Sequence, residues 1–122
     1  MADIPRAAAV RGKTMRWTWT EGPTKGKTHE HHFHEDGTVD WNEVTGAASA
    51  APPAGKPAGS GTLERVPYAA VEAGRDVYLV SYLAGSGFTL TVALNLMTHQ
   101  INGFASGGKE WHFVRGTVEV MP

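Results

Sequence analysis

From Lys13 to Thr20 the chain reads KTMRWTWT, with Met15, Trp17 and Trp19 alternating against Thr14, Arg16, Thr18 and Thr20. A period of two puts every second side chain on one face, so this stretch predicts a strand with one apolar face. The turn-forming run EGPTKG follows. Lys27–His34 is a second extended segment that ends at Glu35-Asp36-Gly37, and Thr38–Val44 returns from it as a third. Further extended segments are expected over Thr62–Ala69, Asp76–Leu83, Phe88–Leu96, His99–Ala105 and Glu110–Val120. In the sixth of the series, Phe88, Leu90, Val92, Leu94 and Leu96 alternate with Thr89, Thr91, Ala93 and Asn95. Ala84-Gly85-Ser86-Gly87 and Ser106-Gly107-Gly108 read as tight hairpin connections. No segment keeps a helical period over ten or more residues.

The register of the second hairpin follows from its turn. If Gly37 takes the left-handed position of a three-residue loop with a bulge, Phe33 faces Val39, His31 faces Trp41 and His29 faces Glu43. One face then carries His29, His31, Phe33, Val39, Trp41 and Glu43. The other carries Glu30, His32, His34, Asp40 and Asn42, and is expected to be the wetter one.

Eight strands of about eight residues joined by turns of about four use roughly 92 residues. An N-terminal arm over residues 1–12 and an Ala/Pro/Gly-rich flexible loop over 46–61 (GAASAAPPAGKPAGSG) account for most of the rest. The fold class is therefore all-β: an eight-stranded antiparallel up-and-down barrel of the calycin or lipocalin-like kind, with residues 13–122 as its single domain. Closing such a sheet removes its edges and leaves an interior wide enough for side chains or one small ligand.

Composition narrows the partners. The 122 residues include 15 glycines and 7 prolines, which go into turns. A formal net charge of −1 provides no basic field for a phosphate backbone, so nucleic acid is not an expected partner. No apolar run approaches the length of a membrane span, so no membrane partner is expected. The absence of cysteine removes disulfides, thiolate metal sites and thiol nucleophiles. With no apolar stretch after Met1 to serve as a signal peptide, the expected location is cytoplasmic.

Six histidines stand out, four of them between positions 29 and 34. If the first three strands share an interior, Trp17, Trp19, Trp41, His29, His31 and Glu43 converge there, with Tyr68, Tyr78 or Tyr82 from the far wall. Aromatic walls with a few polar groups suit a small-molecule pocket. His31 and His29, with Glu43 to orient a ring, are the candidate acid/base residues. The same three side chains are a generic set of metal ligands, but strand spacing of this kind is unspecific and neither a metal nor another cofactor is expected. Nucleophile-elbow and phosphate-loop motifs are absent.

Several short motifs occur together: Gly12-Lys13-Thr14, the Phe33-x-x-Asp36-Gly37-Thr38-Val39-x-Trp41 hairpin, Tyr68-Ala69-Ala70, Asp76-Val77-Tyr78-Leu79-Val80-Ser81-Tyr82 and Leu94-Asn95-Leu96. Over roughly residues 12 to 118 the chain resembles the MoaF-like calycin barrels and, more distantly, the phenolic acid decarboxylases. The resemblance implies a lipocalin-sized barrel with a central cavity, often dimeric. Where the decarboxylases carry a Tyr-x-Tyr pair, this chain has Trp17-x-Trp19. Their arginine position corresponds to Asn42, and their glutamate to Arg75 or Glu72. The phenols and guanidinium that handle a carboxylate substrate are missing, so that reaction is not implied here. The comparison also implies that position 42 faces the lumen and Trp41 faces outward, against the register argued above.

The leading expectation is a barrel that binds a small apolar or aromatic molecule through Trp17, Trp19, Trp41, Tyr68, Tyr82 and Asn42. One alternative is a lyase or isomerase of small aromatic or polyketide-like substrates that uses a histidine acid/base. The other is a non-catalytic protein that forms a homodimer through an outer face carrying Trp41 or Trp111.

Overall fold

A computed structural model describes residues 4–44, 65–84 and 87–122. The strands are β1 (Thr14–Glu21), β2 (Thr28–Phe33), β3 (Thr38–Glu43), β4 (Val66–Gly74), β5 (Val77–Leu83), β6 (Thr89–Asn95), β7 (Gln100–Gly107) and β8 (Glu110–Val120). Each pairs antiparallel with the next, and β8 pairs back with β1, closing the barrel in sequence order. The all-β barrel expected from the alternation is the fold, with no helix among the described residues. Accordingly, no helix among the described residues is long and apolar enough to cross a membrane.

Gly37 takes the left-handed conformation at φ 89°, and the hairpin it closes has the bulged register. His29 faces Glu43, His31 faces Trp41 and Phe33 faces Val39, while Glu30 faces Asn42 and His32 faces Asp40. Asp36 stabilises the turn by accepting hydrogen bonds from the Thr38 main chain (3.0 Å) and hydroxyl (2.6 Å). The opposite face assignment, with Trp41 outward, does not occur.

The fourth strand lies further along than expected. Alternation led to Thr62–Ala69, but β4 begins at Val66 and runs through Ala-Ala-Val-Glu-Ala to Gly74. Its ladder with β5 supplies what its weak side-chain pattern lacks: Val71 pairs with Leu79 and Glu72 with Tyr78. The 46–61 loop and the Thr62–Glu64 start of the expected strand lie outside the described residues.

Barrel closure draws on two glycines. A Cβ on Gly116 would lie 2.0 Å from the Thr18 carbonyl oxygen, and one on Gly103 would lie 2.1 Å from that of Thr91. At both positions the neighbouring strand crosses too close for any side chain, as happens where strongly coiled strands turn the sheet on itself.

The core divides the lumen unevenly. Met15, Trp17, Phe33, Val39, Tyr68, Val80, Val92, Leu94, Ile101 and Val118 are buried toward one end. Of the arm anticipated at residues 1–12, the described part, residues 4–12, belongs to this end. Ala7 and Ala70 bond through their main chains, Ala70 also bonds to Pro5, and the Gly12 amide donates to the Phe33 carbonyl. Arg6 Nε donates to the Tyr68 carbonyl at 2.9 Å, and Val10 is 0 % exposed within the core. A segment without a hydrophobic period thus contributes one fully buried side chain that helps fill this end of the barrel.

Candidate functional site

At the other end of the barrel the lumen opens into a cavity of about 360 Å³. Period-two alternation puts its wall on seven of the eight strands, β4 excepted: Trp19 from β1, His29 and His31 from β2, Trp41 from β3, Tyr82 from β5, Leu90 from β6, Ala105 from β7, and His112 and Val114 from β8. Pro23 and Thr24 of the first hairpin turn, with Ala84 and Phe88 beside β5 and β6, form the mouth. Among the described lining residues there is no Asp, Glu, Lys or Arg.

The floor is a stack of rings. His31, 1 % exposed, lies against Trp17 with ring centres 3.8 Å apart and planes 27° from parallel. Trp41 is 22° from parallel to His31, and its ring centre is 4.7 Å from that of Tyr82. His31 Nε2 and the Tyr82 hydroxyl are hydrogen-bonded at 2.9 Å. His31 Nδ1 and Trp17 Nε1 are buried without a hydrogen-bond partner. Burial far from water disfavours charge on both members of the His31–Tyr82 pair. The His31 ring is held well below its ordinary range, first by desolvation and then by the neighbouring His29, and the Tyr82 phenol is pushed far up. Near neutral pH the pair is uncharged.

His29 stands nearer the mouth. Trp19 Nε1 donates to its Nδ1 at 3.1 Å. Desolvation lowers its affinity for a proton, Glu43 opposes that shift, and Lys27 adds to it.

The expected site residues separate into two groups. Trp19, Trp41, Tyr82, His29 and His31 meet at the cavity. Trp17 lies beneath it, fully buried behind His31, and Tyr68 belongs to the filled end, where its ring meets Phe33 edge-on at 5.0 Å and its hydroxyl donates to the His34 carbonyl. Asn42 faces outward, because it is the register partner of Glu30 on the far side of the sheet. Glu43 is the register partner of His29 and acts on its charge, while its side chain is 46 % exposed and lies 3.5 Å from Lys27 Nζ.

On the outer face His34 and Asp40 pair at 2.6 Å, with Arg65 3.7 Å from the same carboxylate oxygen, and His32 lies 3.3 Å from Glu30. This face is less wet than expected: Asp40 is buried under its partners. Among the described residues, no group of three His, Asp or Glu side chains is arranged to hold a metal ion. His112 and Phe88, whose ring centres are 5.9 Å apart, are lining residues that sequence reasoning passed over. The signal was available for His112, which shares strand parity with Val114, Gly116 and Val118.

Fold and cavity together define a closed eight-stranded antiparallel barrel with an aromatic pocket at one end whose described lining has no Asp, Glu, Lys or Arg. No family model matches the sequence, and no curated protein does. Among solved structures, a Burkholderia vietnamiensis protein described as a "putative beta-lactamase" superposes with a TM-score of 0.69 at 16 % identity, over 95 % of this chain and 99 % of that one. At that identity the likeness establishes the barrel fold and carries no activity across.

Proposed function

We propose that this protein is a calycin-like binding barrel that holds a small, largely apolar or aromatic molecule in the cavity. The observation that carries this reading is the cavity of about 360 Å³, open at one end and walled by two indoles, a phenol and three imidazoles. Its size lies near the lower end of the roughly 300–1,000 Å³ typical of small-molecule sites, with the same balance of apolar surface and a few directed polar atoms. The motif resemblance to MoaF-like barrels supports the same reading. The acid/base alternative draws less support, since the Trp19 indole N–H donates to His29 Nδ1 and opposes a second proton on that ring. Titrating the protein with small aromatic and lipid-like compounds while following tryptophan emission tests the proposal. Saturable quenching that is lost in Trp41→Ala is expected, and a flat response across the panel would refute it.

A second observation concerns the outer surface. Trp111, 81 % exposed, shares the outer side of the β5–β8 sheet with Phe104, Phe113, Leu79 and Leu83, all exposed. At 150–250 Å² for a large aromatic side chain, these five expose on the order of 500 Å² of apolar surface. That is a large share of the roughly 800 Å² per partner in a standard interface and near the upper limit for a monomer's largest patch. We infer that this face pairs with a second copy of the chain. Light scattering is expected to give twice the chain mass, falling to the single mass in Phe104→Glu; a wild-type monomer at micromolar concentration refutes the inference.

A further inference from the structure

Trp19 sets the direction of hydrogen bonding at the His29 ring on the cavity wall. An indole N–H can only donate. Because Trp19 Nε1 is 3.1 Å from His29 Nδ1, that ring nitrogen must be the acceptor. A neutral imidazole with a bare Nδ1 carries its proton on Nε2. A second proton on Nδ1 would face the indole N–H donor to donor, so the same contact opposes the imidazolium. His29 therefore presents a single N–H donor, and its remaining nitrogen is the only one left to address a ligand. Lys27 and Glu43, which act on its charge, lie 3.5 Å from each other, and the described cavity lining itself includes no carboxylate, ammonium or guanidinium to balance a ligand's charge.

Building on the proposed function, we propose that the ligand is a neutral, planar aromatic molecule of one or two rings bearing a hydrogen-bond-accepting carbonyl, and that His29 Nε2–H is the donor that selects it. The planar body suits the near-parallel Trp41, His31 and Tyr82 rings. The carbonyl completes the one donor that Trp19 orients. A carboxylate or ammonium would lose its hydration with no opposite charge to replace it.

Four probes of similar size separate these points: 2-acetylnaphthalene, 2-isopropylnaphthalene, 2-naphthoate and 2-naphthylmethylammonium, titrated by calorimetry at pH 7.5. The acetyl compound is expected to bind roughly tenfold more tightly than its isopropyl isostere, the worth of one directed hydrogen bond. Both ions are expected to bind at least tenfold more weakly than the acetyl compound. His29→Phe is expected to erase the acetyl preference while the isopropyl compound still binds. Equal affinity for the two neutral probes, or tightest binding by either ion, overturns the inference and leaves the binding-barrel reading standing. Absence of binding by all four overturns both.

Ring tautomers provide a test independent of ligand and variant. Long-range proton–nitrogen correlation on nitrogen-15-labelled protein is expected to show His29 as the Nε2–H form in wild type, with the Nδ1–H form gaining population in Trp19→Phe. A wild-type His29 protonated on Nδ1 overturns the inference, whatever the fate of the His29→Phe protein.

Discussion

Lowering the pH should destabilise the barrel through His31, and the size of the effect can be worked from its position. The ring is 1 % exposed, stacked on Trp17 and bonded to Tyr82, with no carboxylate in contact to stabilise a charge. In the unfolded chain it takes a proton near pH 6.5; in the folded chain burial delays that until well below. Between these values the unfolded state binds one more proton, so stability is undiminished above about pH 6.5 and falls as pH drops, until it levels beneath the folded value. One proton of difference corresponds to about 1.4 kcal/mol per pH unit. Within that window the wild type should lose up to about that much per pH unit through His31, with a contribution from His29 in the same direction. Replacing both members of the pair, His31→Phe with Tyr82→Phe, removes the titrating ring and leaves no orphaned partner. Urea unfolding at pH 7.5, 6.5, 5.5 and 5.0 measures the two slopes; the double variant should be shallower by about one proton. Equal slopes would show that His31 is not a buried neutral ring, and the account of the cavity floor would fail with it.

Other consequences are open to direct measurement. Tyr82→Phe alone, which leaves His31 Nε2 without its hydroxyl partner, should cost about 1–3 kcal/mol in urea unfolding at pH 7.5, and the paired replacement should recover part of it. Gly116→Ala places a methyl against the Thr18 carbonyl and should cost at least about 1–3 kcal/mol, read as a lower Tm; an unchanged Tm would contradict the close strand crossing. Val10→Ala should lower stability by roughly 1–2 kcal/mol although the residue precedes the first strand, and a neutral outcome would mean that residues 4–12 do not pack as described.

Most of the barrel could be read from short-range pattern. KTMRWTWT and FTLTVALNL alternate cleanly because each strand has one face on the lumen, and Asp36-Gly37 declared its turn because only glycine takes φ 89° without strain. That turn set the register, and through it the inward placement of His29, His31 and Trp41. β4 was harder: Ala69, Ala70 and Ala73 carry little contrast between faces, so pairing with β5 defined it. Val10 was invisible to periodicity because a single residue that fills the barrel end needs no repeat.

Parity along the chain determined which side chains face inward, since alternation is a local property of extended backbone. Depth along the barrel axis was decided by tertiary structure alone. Trp17 and Trp19 have the same parity and neighbouring positions, yet one is sealed beneath His31 and the other walls the cavity, because the stagger of eight tilted strands sets where each meets the lumen. The same stagger carries Tyr68 to the filled end, leaves Glu43 half-exposed beside Lys27 and brings His112 to the same cavity as the β2 histidines. No rule of spacing within one strand contains that information: it arises only when β8 closes on β1.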